Sequence, residues 1–236
     1  MIYQHVGVAF EGLRQEDGKA VFSCEVPTEL NVFLKRMTGD AELILRDGRI
    51  ISSEQQRKVY ALIGEIADYI DGMKNAQTIE QTKKFMKLNF IAKSMEDTEK
   101  HLFSLSNCDM TLAREFITYI IDFIIENDIP TRFPLIEKSE DIGRYIYACL
   151  MNKKCAVCGR PAHLHHVDTV GANGGDRAHI NHIGLRCLPL CPTHHEEIHR
   201  KGNEFMTAYH LEPVKIDKDI AKVYGLNTKS KREKSE

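Results

Sequence analysis

The segment CPTHHEEIH, from Cys191 to His199, places one cysteine, three histidines and two glutamates within nine residues. Cysteine thiolates and histidine nitrogens are the usual protein ligands of zinc. The first two histidines are adjacent and the third lies one helical turn later, so one metal ion cannot easily use all of these groups. The segment therefore serves one metal site, two sites or none, and the other cysteines and histidines must decide between these possibilities.

The cysteines and histidines of the chain are concentrated in its C-terminal part. Nine of the 11 histidines fall between residues 163 and 210. Five of the seven cysteines also crowd together, as Cys149, Cys155, Cys158, Cys187 and Cys191. The N-terminus, MIYQHVGVAFEG, lacks a basic start followed by a long apolar run, so we expect no signal peptide and a cytoplasmic location. In that compartment a cysteine cluster indicates metal binding rather than disulfides.

Charge and hydropathy exclude some classes of function. The most apolar run, FITYIIDFII, is interrupted by Asp122 and is too short to cross a bilayer, so we expect no membrane association. The net charge of −2 does not by itself indicate a nucleic-acid-binding protein. Residues 151–236, however, carry 14 basic and 10 acidic side chains. This local excess of positive charge is compatible with a C-terminal part that faces a polyanion.

Two short motifs predict a structural zinc site. Cys155-x-x-Cys158 is a knuckle that lets two thiolates reach one zinc ion from a tight turn, and Cys191-x-x-His194 repeats the two-residue gap 33 residues later. Together they supply a Cys₃His tetrahedron. A region of this size buries little apolar core, and zinc adds on the order of 10 kcal/mol to the folding of small domains. Outside these motifs, Cys149 and Cys187 are predicted to be buried thiols.

The remaining histidines indicate a second cluster. In LHHVD, adjacent side chains of a strand point to opposite faces, so one of His165 and His166 can hold a metal while its neighbour faces a substrate. His195 and His199 are four residues apart, which places them on one helix face about 6 Å apart and suits a shared ion.

The order of these motifs between residues 152 and 202 resembles the ββα-metal finger of HNH nucleases, in the group found in phage recombination proteins. The pattern is CxxC, then HHxD, a loop with GxDR, and LPLCxxHHxxxH. The resemblance implies that His166 is the general base of phosphodiester hydrolysis. It also implies a catalytic divalent ion held by His165, His195 and His199, beside a structural zinc held by Cys155, Cys158, Cys191 and His194.

The middle position of the motif departs from the family pattern. The family's asparagine usually lies nine residues before the helix histidine, where this chain has Arg186. That asparagine orients the base histidine through a backbone carbonyl. Either the strand carbonyl of Arg186 does this with a different side chain, which is the interpretation we prefer, or Asn181 substitutes, with His182 beside it.

Other polar groups near the motif have predicted roles in charge stabilisation. Asp168 either adds an oxygen ligand to the catalytic ion or caps a turn. One of Arg177, Arg186 and Arg200 is expected to stabilise charge that develops on the phosphate, and Arg177 and Arg200 are predicted DNA contacts. An all-histidine site suits Mn²⁺, Ni²⁺ or Zn²⁺ better than Mg²⁺, which prefers oxygen ligands.

The first part of the chain predicts strands followed by helices. The apolar segments GVAF, AVFSCEV and AELILRDGRII read as short strands, and Asp47-Gly48 is typical of a hairpin turn. A helix then opens at Ser52 or Ser53, both good N-caps, with Ser53-x-x-Gln56 as a capping-box pattern, and it ends at Gly72. Three more helices are predicted: 79–92 with Phe85, Leu88 and Ala92 inward, 111–126 with Leu112, Phe116, Ile120, Phe123 and Ile124 inward, and a short helix at 142–151.

The segment RDGRIISSEQQRKVYALIGEIADYI, residues 46–70, resembles the phage lambda Orf recombination mediator family. The matching residues are Arg49, Ser53, Gln56, Arg57, Lys58, Val59 and Tyr60. With LSNCDMTLAREFITYIIDFIIENDIP, which is similar to the family's closing helix, the likeness covers about residues 1–135. It implies a homodimer that binds single-stranded DNA and contacts the host single-strand binding protein. Arg49, Arg57 and Lys58 would then be available for phosphates.

The predicted fold class is α+β. The expected segments are an Orf-like DNA- and partner-binding domain at 1–135, a linker helix at 136–151, a zinc-stabilised HNH nuclease domain at 152–210 and a polar basic tail at 211–236. The predicted function is metal-dependent cleavage of single-stranded or branched DNA during phage homologous recombination in a bacterial host cell. A non-catalytic zinc module that assists DNA binding and a restriction or homing-type HNH endonuclease stay open as alternatives.

Overall fold

The computed structural model describes residues 9–16, 19–25, 48–93, 103–168 and 180–228. The chain divides into two compact units, Met1–Arg46 and Asp47–Glu236. In the first unit, strand β1 (Ala9–Glu16) pairs antiparallel with β2 (Lys19–Glu25), and the register shifts between Phe10 and Gly12. Strands were predicted in this region. Most of the third predicted strand and the Asp47 half of the predicted turn lie outside the described residues, while Ile50 forms an isolated bridge with Asp109.

The second unit begins with helix α1 (Ser53–Asp71), whose ends follow from local chemistry. The capping box was predicted one residue too late. Ser52, in extended conformation, is the N-cap and accepts a hydrogen bond from Gln55 N, while the Gln55 side chain accepts from Ser52 N. At the other end, Gly72 adopts the left-handed conformation with φ of 65°, which ends the helix as predicted.

Helix α2 (Ala76–Lys93) buries a different face from the one predicted. Phe85 is 49% exposed and Leu88 is 59% exposed, whereas Met86 is fully buried. The buried positions repeat every four residues, as Thr78, Thr82, Met86 and Phe90. Apolar residues occur on more than one side of this helix, so periodicity alone does not select its inward face. Ala92 is also exposed, and the prediction for all three side chains was wrong.

The next two helices agree with the prediction. Helix α3 (Met110–Glu126) is capped by Asp109, which accepts a hydrogen bond from Leu112 N. Of its predicted inward residues, Phe116, Ile120 and Ile124 are buried, and Leu112 and Phe123 are partly buried against the core. After a short 3₁₀ turn at Leu135–Glu137 comes α4 (Ile142–Met151). Helix α4 lies where the linker helix was predicted. It packs against α3 on one side and against the following sheet on the other, because Tyr145, Ile146, Cys149 and Leu150 are all buried.

A three-stranded antiparallel sheet follows, in the order β3 (His163–His166), β4 (Arg186–Leu190) and β5 (Val214–Lys215). Helices α5 (Pro192–Lys201) and α6 (Asn203–Ala208) lie between β4 and β5 in the chain, and α7 (Lys218–Tyr224) follows β5. The described helices include none that is both long and apolar enough to cross a membrane.

The predicted tail at 211–236 is folded over most of its described length. Leu211, Ile216 and Ile220 are buried in the same core as the helices, and β5 pairs with β4. The interrupted apolar pattern concealed this, because the strand has only two residues and the helix seven. Residues 47–236 form one compact unit, and the predicted segment boundaries within it stay a prediction.

The face that α2 buries can be tested by two substitutions on that helix. We expect Met86→Ala to lower the free energy of unfolding by about 2–5 kcal/mol, because it leaves a cavity in a packed core. Leu88→Ala removes an exposed side chain and should change it by less than about 0.5 kcal/mol. Urea unfolding followed by circular dichroism measures both. If Leu88→Ala lowered the free energy of unfolding more than Met86→Ala, the buried face of α2 would be the one predicted from sequence.

Candidate metal centres and active site

A tight turn from Cys155 to Arg160 forms the first half of one metal centre. Cys155 N donates to Arg160 O over 2.8 Å, and Gly159 N donates to Cys155 O over 2.8 Å. Gly159 has φ of 68°, a conformation in which a side chain would be strained. Ala156 N donates to Pro189 O over 3.0 Å, which fixes the turn against the end of β4. The knuckle therefore lies beside Cys191, the residue that follows this strand.

Four side chains meet at this point, and their geometry fits zinc. The ligand atoms of Cys155, Cys158, Cys191 and His194 all lie within 4.8 Å of one another. His194 Nδ1 is 3.3 Å from Cys191 Sγ and 3.4 Å from Cys155 Sγ, and the Sγ atoms of Cys158 and Cys191 are 3.7 Å apart. Tetrahedral zinc with ordinary bond lengths separates sulfur from nitrogen by about 3.5 Å and sulfur from sulfur by about 3.8 Å. The cluster can therefore hold zinc as predicted.

The cation of Arg160 lies against the thiolates of this cluster. Its Nε donates to Cys158 Sγ over 3.3 Å, and a terminal nitrogen lies 3.8 Å from Cys191 Sγ. Burial opposes ionisation of Cys158, but hydrogen bonds led by that of Arg160 lower its pKa below the ordinary value. By contrast, burial raises the pKa of Cys149 and Cys187 to about 12, and both are buried thiols outside the cluster, as predicted.

Helix α5 distributes its histidines between two clusters. Cys191 is its N-cap and Pro192 its first residue, where a missing N–H costs nothing. His194 joins the cysteines, whereas His195 and His199 lie on another face with ring centroids 4.6 Å apart. The ring of His165 is 4.8 Å from that of His195 and 5.0 Å from that of His199. The ligand atoms of these three histidines also lie within 4.8 Å of one another.

The three-histidine cluster is suited to a divalent ion. His165 is buried, and this burial, together with the neighbouring His195 and His199, lowers its pKa to about 4. Burial likewise lowers the pKa of His195, with a further contribution from His199. Neutral imidazoles keep a lone pair for a metal, and three protein ligands leave coordination positions for substrate. This geometry fits the ligand set that the sequence predicted.

His166 diverges from His165, as expected for neighbours in a strand. His165 pairs with Leu188 across the sheet, and His166 pairs with Cys187. The Nε2 atom of His166 lies 2.9 Å from Nδ1 of His182, within hydrogen-bonding distance. A cavity of about 490 Å³ is lined by all five histidines: His165, His166, His182, His195 and His199. A predicted base and predicted metal ligands therefore share one cavity.

The two residues proposed for the middle position of the motif are engaged elsewhere. Arg186 donates to Asp168 from its backbone N over 2.6 Å and from Nε over 2.8 Å, and its O accepts from Val167 N. Asn181 is exposed, and its Oδ1 accepts from Ile183 N within a local turn. The ring that contacts His166 belongs instead to His182, which sequence reasoning noted only as a neighbour of Asn181. The high density of histidines between residues 163 and 210 was the sequence feature that could have identified His182 as a site residue.

Asp168 belongs to neither metal cluster among the described residues, and its carboxylate is occupied by Arg186. The hydrogen bonds from the side chain and backbone of Arg186 lower the pKa of Asp168 below its ordinary value. This pair joins the end of β3 to the start of β4. The carboxylate thus bonds to a residue 18 positions away, in the neighbouring strand, rather than to a local turn. Both predicted roles of Asp168, as an ion ligand and as a turn cap, stay predictions, as does catalysis by Arg186.

The predicted DNA contacts occupy different environments. Lys58 is 16% exposed and forms ion pairs of 3.1 Å with both Glu54 and Glu140, so its charge is neutralised within the protein. The side chains of Arg49, Arg57 and Arg200 are exposed, and Arg177 lies outside the described residues. DNA binding by these residues stays a prediction.

Comparison with protein families agrees with this geometry. Residues 24–227 match a family model described as "Putative HNHc nuclease". Because the match covers most of the chain, the protein belongs to this family of HNH nucleases. No curated protein and no solved structure matches the chain. The family match includes the helices that precede the metal clusters, and the Orf-like character of residues 1–135 stays a prediction.

The cysteine cluster makes a prediction that uses Co²⁺ as a spectroscopic probe. We expect Co²⁺ to give the wild-type chain a thiolate-to-metal charge-transfer band, since this cluster alone among the described ones contains thiols. Cys158→Ser should weaken that band and lower the melting temperature, because zinc binding contributes to folding. Cys108→Ser, which changes a buried thiol outside the cluster, should leave the band unchanged. An intact band in Cys158→Ser would exclude this residue as a ligand.

Proposed function

We propose that this HNH nuclease is a metal-dependent endonuclease that hydrolyses phosphodiester bonds in DNA. The observation that supports the proposal is the placement of His166 in the same cavity as the ligand cluster His165, His195 and His199. A proton acceptor beside a cluster of neutral metal ligands is the arrangement that attack of water on a phosphodiester requires.

The three-histidine cluster supplies the electrostatic half of the reaction. A divalent ion bound there provides charge neutralisation for the scissile phosphate and the departing oxygen. The chain contributes the donor set, in which three neutral imidazoles favour Mn²⁺, Ni²⁺ or Zn²⁺ over Mg²⁺. The low pKa of His165 keeps that ring neutral throughout the physiological range.

His166 supplies the proton-transfer half. Its neutral ring takes a proton from a water molecule as the water oxygen attacks phosphorus in line. The bond between phosphorus and the 3′ oxygen breaks, and the departing oxygen takes a proton from solvent. The products are a 5′-phosphate and a 3′-hydroxyl. General-base catalysis of this kind contributes roughly 10²–10⁴ in rate.

The biological setting forms the second part of the proposal. The resemblance of residues 46–70 to recombination mediators supports a role in phage homologous recombination, on single-stranded or branched DNA. The same resemblance supports a homodimer and contact with the host single-strand binding protein. A restriction or homing-type enzyme would instead prefer a particular duplex sequence. A non-catalytic zinc module leaves the three-histidine cluster without a purpose.

The role of His166 can be tested by cleavage of supercoiled plasmid and single-stranded DNA with Mn²⁺. We expect His166→Ala to reduce the rate at least about 100-fold, since it removes the proton acceptor. His163→Ala is the matched control, because His163 is an exposed residue of the same strand and belongs to neither cluster. The cleavage rate of His163→Ala should stay within about twofold of wild type, a far smaller change than the one caused by loss of a general base. Unchanged nicking by His166→Ala would remove this residue from the mechanism.

The contribution of Arg57 to single-strand binding can be tested by fluorescence anisotropy with labelled oligonucleotides over a range of salt concentrations. Arg57→Ala should weaken binding and reduce the slope of log K against log salt by about 0.7, the value for one lost phosphate contact. Lys84→Ala removes an exposed cation from α2 and should leave the slope unchanged. Equal slopes for wild type and Arg57→Ala would show that Arg57 makes no phosphate contact.

A further inference from the structure

His182 contacts the proposed general base directly and belongs to neither metal cluster formed by the described residues. Its Nδ1 lies 2.9 Å from Nε2 of His166, and the two ring centroids are 4.9 Å apart. Its ligand atoms are not part of the cysteine cluster or the three-histidine cluster. His182 and His166 therefore make a direct contact between two imidazole rings.

The position of His182 is fixed by the backbone around it. The residue is 6% exposed, and its N donates to Asn227 O over 3.0 Å. Asn227 Nδ2 donates in turn to Ile180 O over 3.0 Å. On the other side of His182, Gly184 N donates to Ile216 O over 2.8 Å, and Ile216 N donates to Leu185 O over 2.9 Å. Ile216, which precedes α7, and Asn227, which follows it, thus hold the short loop that carries this ring.

The hydrogen bond restricts the tautomer of His166. A neutral imidazole has one N–H and one lone pair, so one of the two facing nitrogens must donate and the other accept. If His182 donated, the proton of neutral His166 would lie on Nδ1, and no lone pair would be left to accept a proton from water. Only the alternative, in which His166 Nε2 donates to His182 Nδ1, leaves His166 able to act as a base.

We propose that His182 is a positioning residue of this nuclease, whose ring accepts a hydrogen bond from His166 Nε2 and so makes Nδ1 of His166 the proton acceptor. This inference rests on the proposed function. It places a side-chain nitrogen where the resemblance to HNH nucleases implied a backbone carbonyl. When His166 gains a proton, the same hydrogen bond becomes charge-assisted and stabilises the imidazolium.

The kinetic test compares His182→Asn with His182→Leu. Asparagine keeps an acceptor atom close to the position of Nδ1, whereas leucine has a comparable size and no acceptor. With Mn²⁺ and plasmid DNA, we expect His182→Leu to lower kcat at least about 100-fold, as for loss of an effective base. Its KM and metal content should stay unchanged, and His182→Asn should retain kcat to within about tenfold of wild type. Equal losses in both variants, or a normal kcat for His182→Leu, would overturn the proposal.

A second measurement does not depend on activity. In the ¹⁵N-labelled full-length chain, long-range proton–nitrogen spectra should show His166 protonated at Nε2 and unprotonated at Nδ1. His182→Leu should lose this preference. A wild-type His166 protonated at Nδ1 would overturn the positioning role whatever the kinetics. The other informative result is a wild-type protein that shows the expected tautomer but cleaves no DNA with Mn²⁺, Ni²⁺, Zn²⁺ or Mg²⁺. That pair of results would refute the proposed nuclease mechanism and, with it, the positioning role.

Discussion

The passage from strand β4 to helix α5 at Cys191 sets the geometry of both metal clusters. The strand ends at Leu190 and the helix begins at Pro192, so Cys191 alone joins them. This leaves the helix almost no freedom to rotate relative to the sheet. Cys191 and His194 are consequently directed at the knuckle, and His195 and His199 at β3. A shift of one residue in this junction would remove a ligand from each cluster.

The junction depends in turn on a core that extends beyond the metal-binding region. Tyr145 of α4 donates to Ala156 O over 2.8 Å, which anchors the knuckle to a buried helix. That helix is preceded by Glu140, whose carboxylate accepts from the buried Gln55 over 2.7 Å and from Lys58 over 3.1 Å. Glu140 and Lys58 are both partly buried, and their pairing offsets the cost of removing their charges from water. The helices and the metal-binding region therefore share one hydrophobic core.

The sequence predicted those features that depend on local chemistry. The spacing of the cysteines and the four-residue interval between His195 and His199 identified both clusters, because a metal site requires particular residue types at short range. The prediction of the inward face of α2 was wrong, because this helix has apolar residues on several sides and only packing against other helices selects among them. The fold of residues 211–226 was missed for a related reason, because its strand is stabilised by pairing with β4 rather than by its own pattern.

His182 was missed because its significance comes entirely from tertiary contacts. Nothing in the spacing between His166 and His182 predicts a ring-to-ring hydrogen bond across a loop that Asn227 holds from the far end of the chain. The usual HNH motif has an asparagine nine residues before the helix histidine, and in this chain that position is Arg186. The loop that carries His182 is held by Asn227. Spacing counted from helix α5 therefore does not predict which side chain contacts His166.

The two clusters on α5 have opposite electrostatic consequences. Three thiolates around a divalent ion leave a net charge of −1, and Arg160, which donates to Cys158, offsets it. Three neutral histidines leave the full charge of a divalent ion uncompensated, and bound cations are often the largest local charges in a site. With both ions bound, a phosphate would therefore be attracted to the three-histidine cluster and hardly at all to the cysteine cluster. The adjacent residues His194 and His195 of one short helix belong to different clusters, so the helix would separate a neutralised ion from one that keeps its charge.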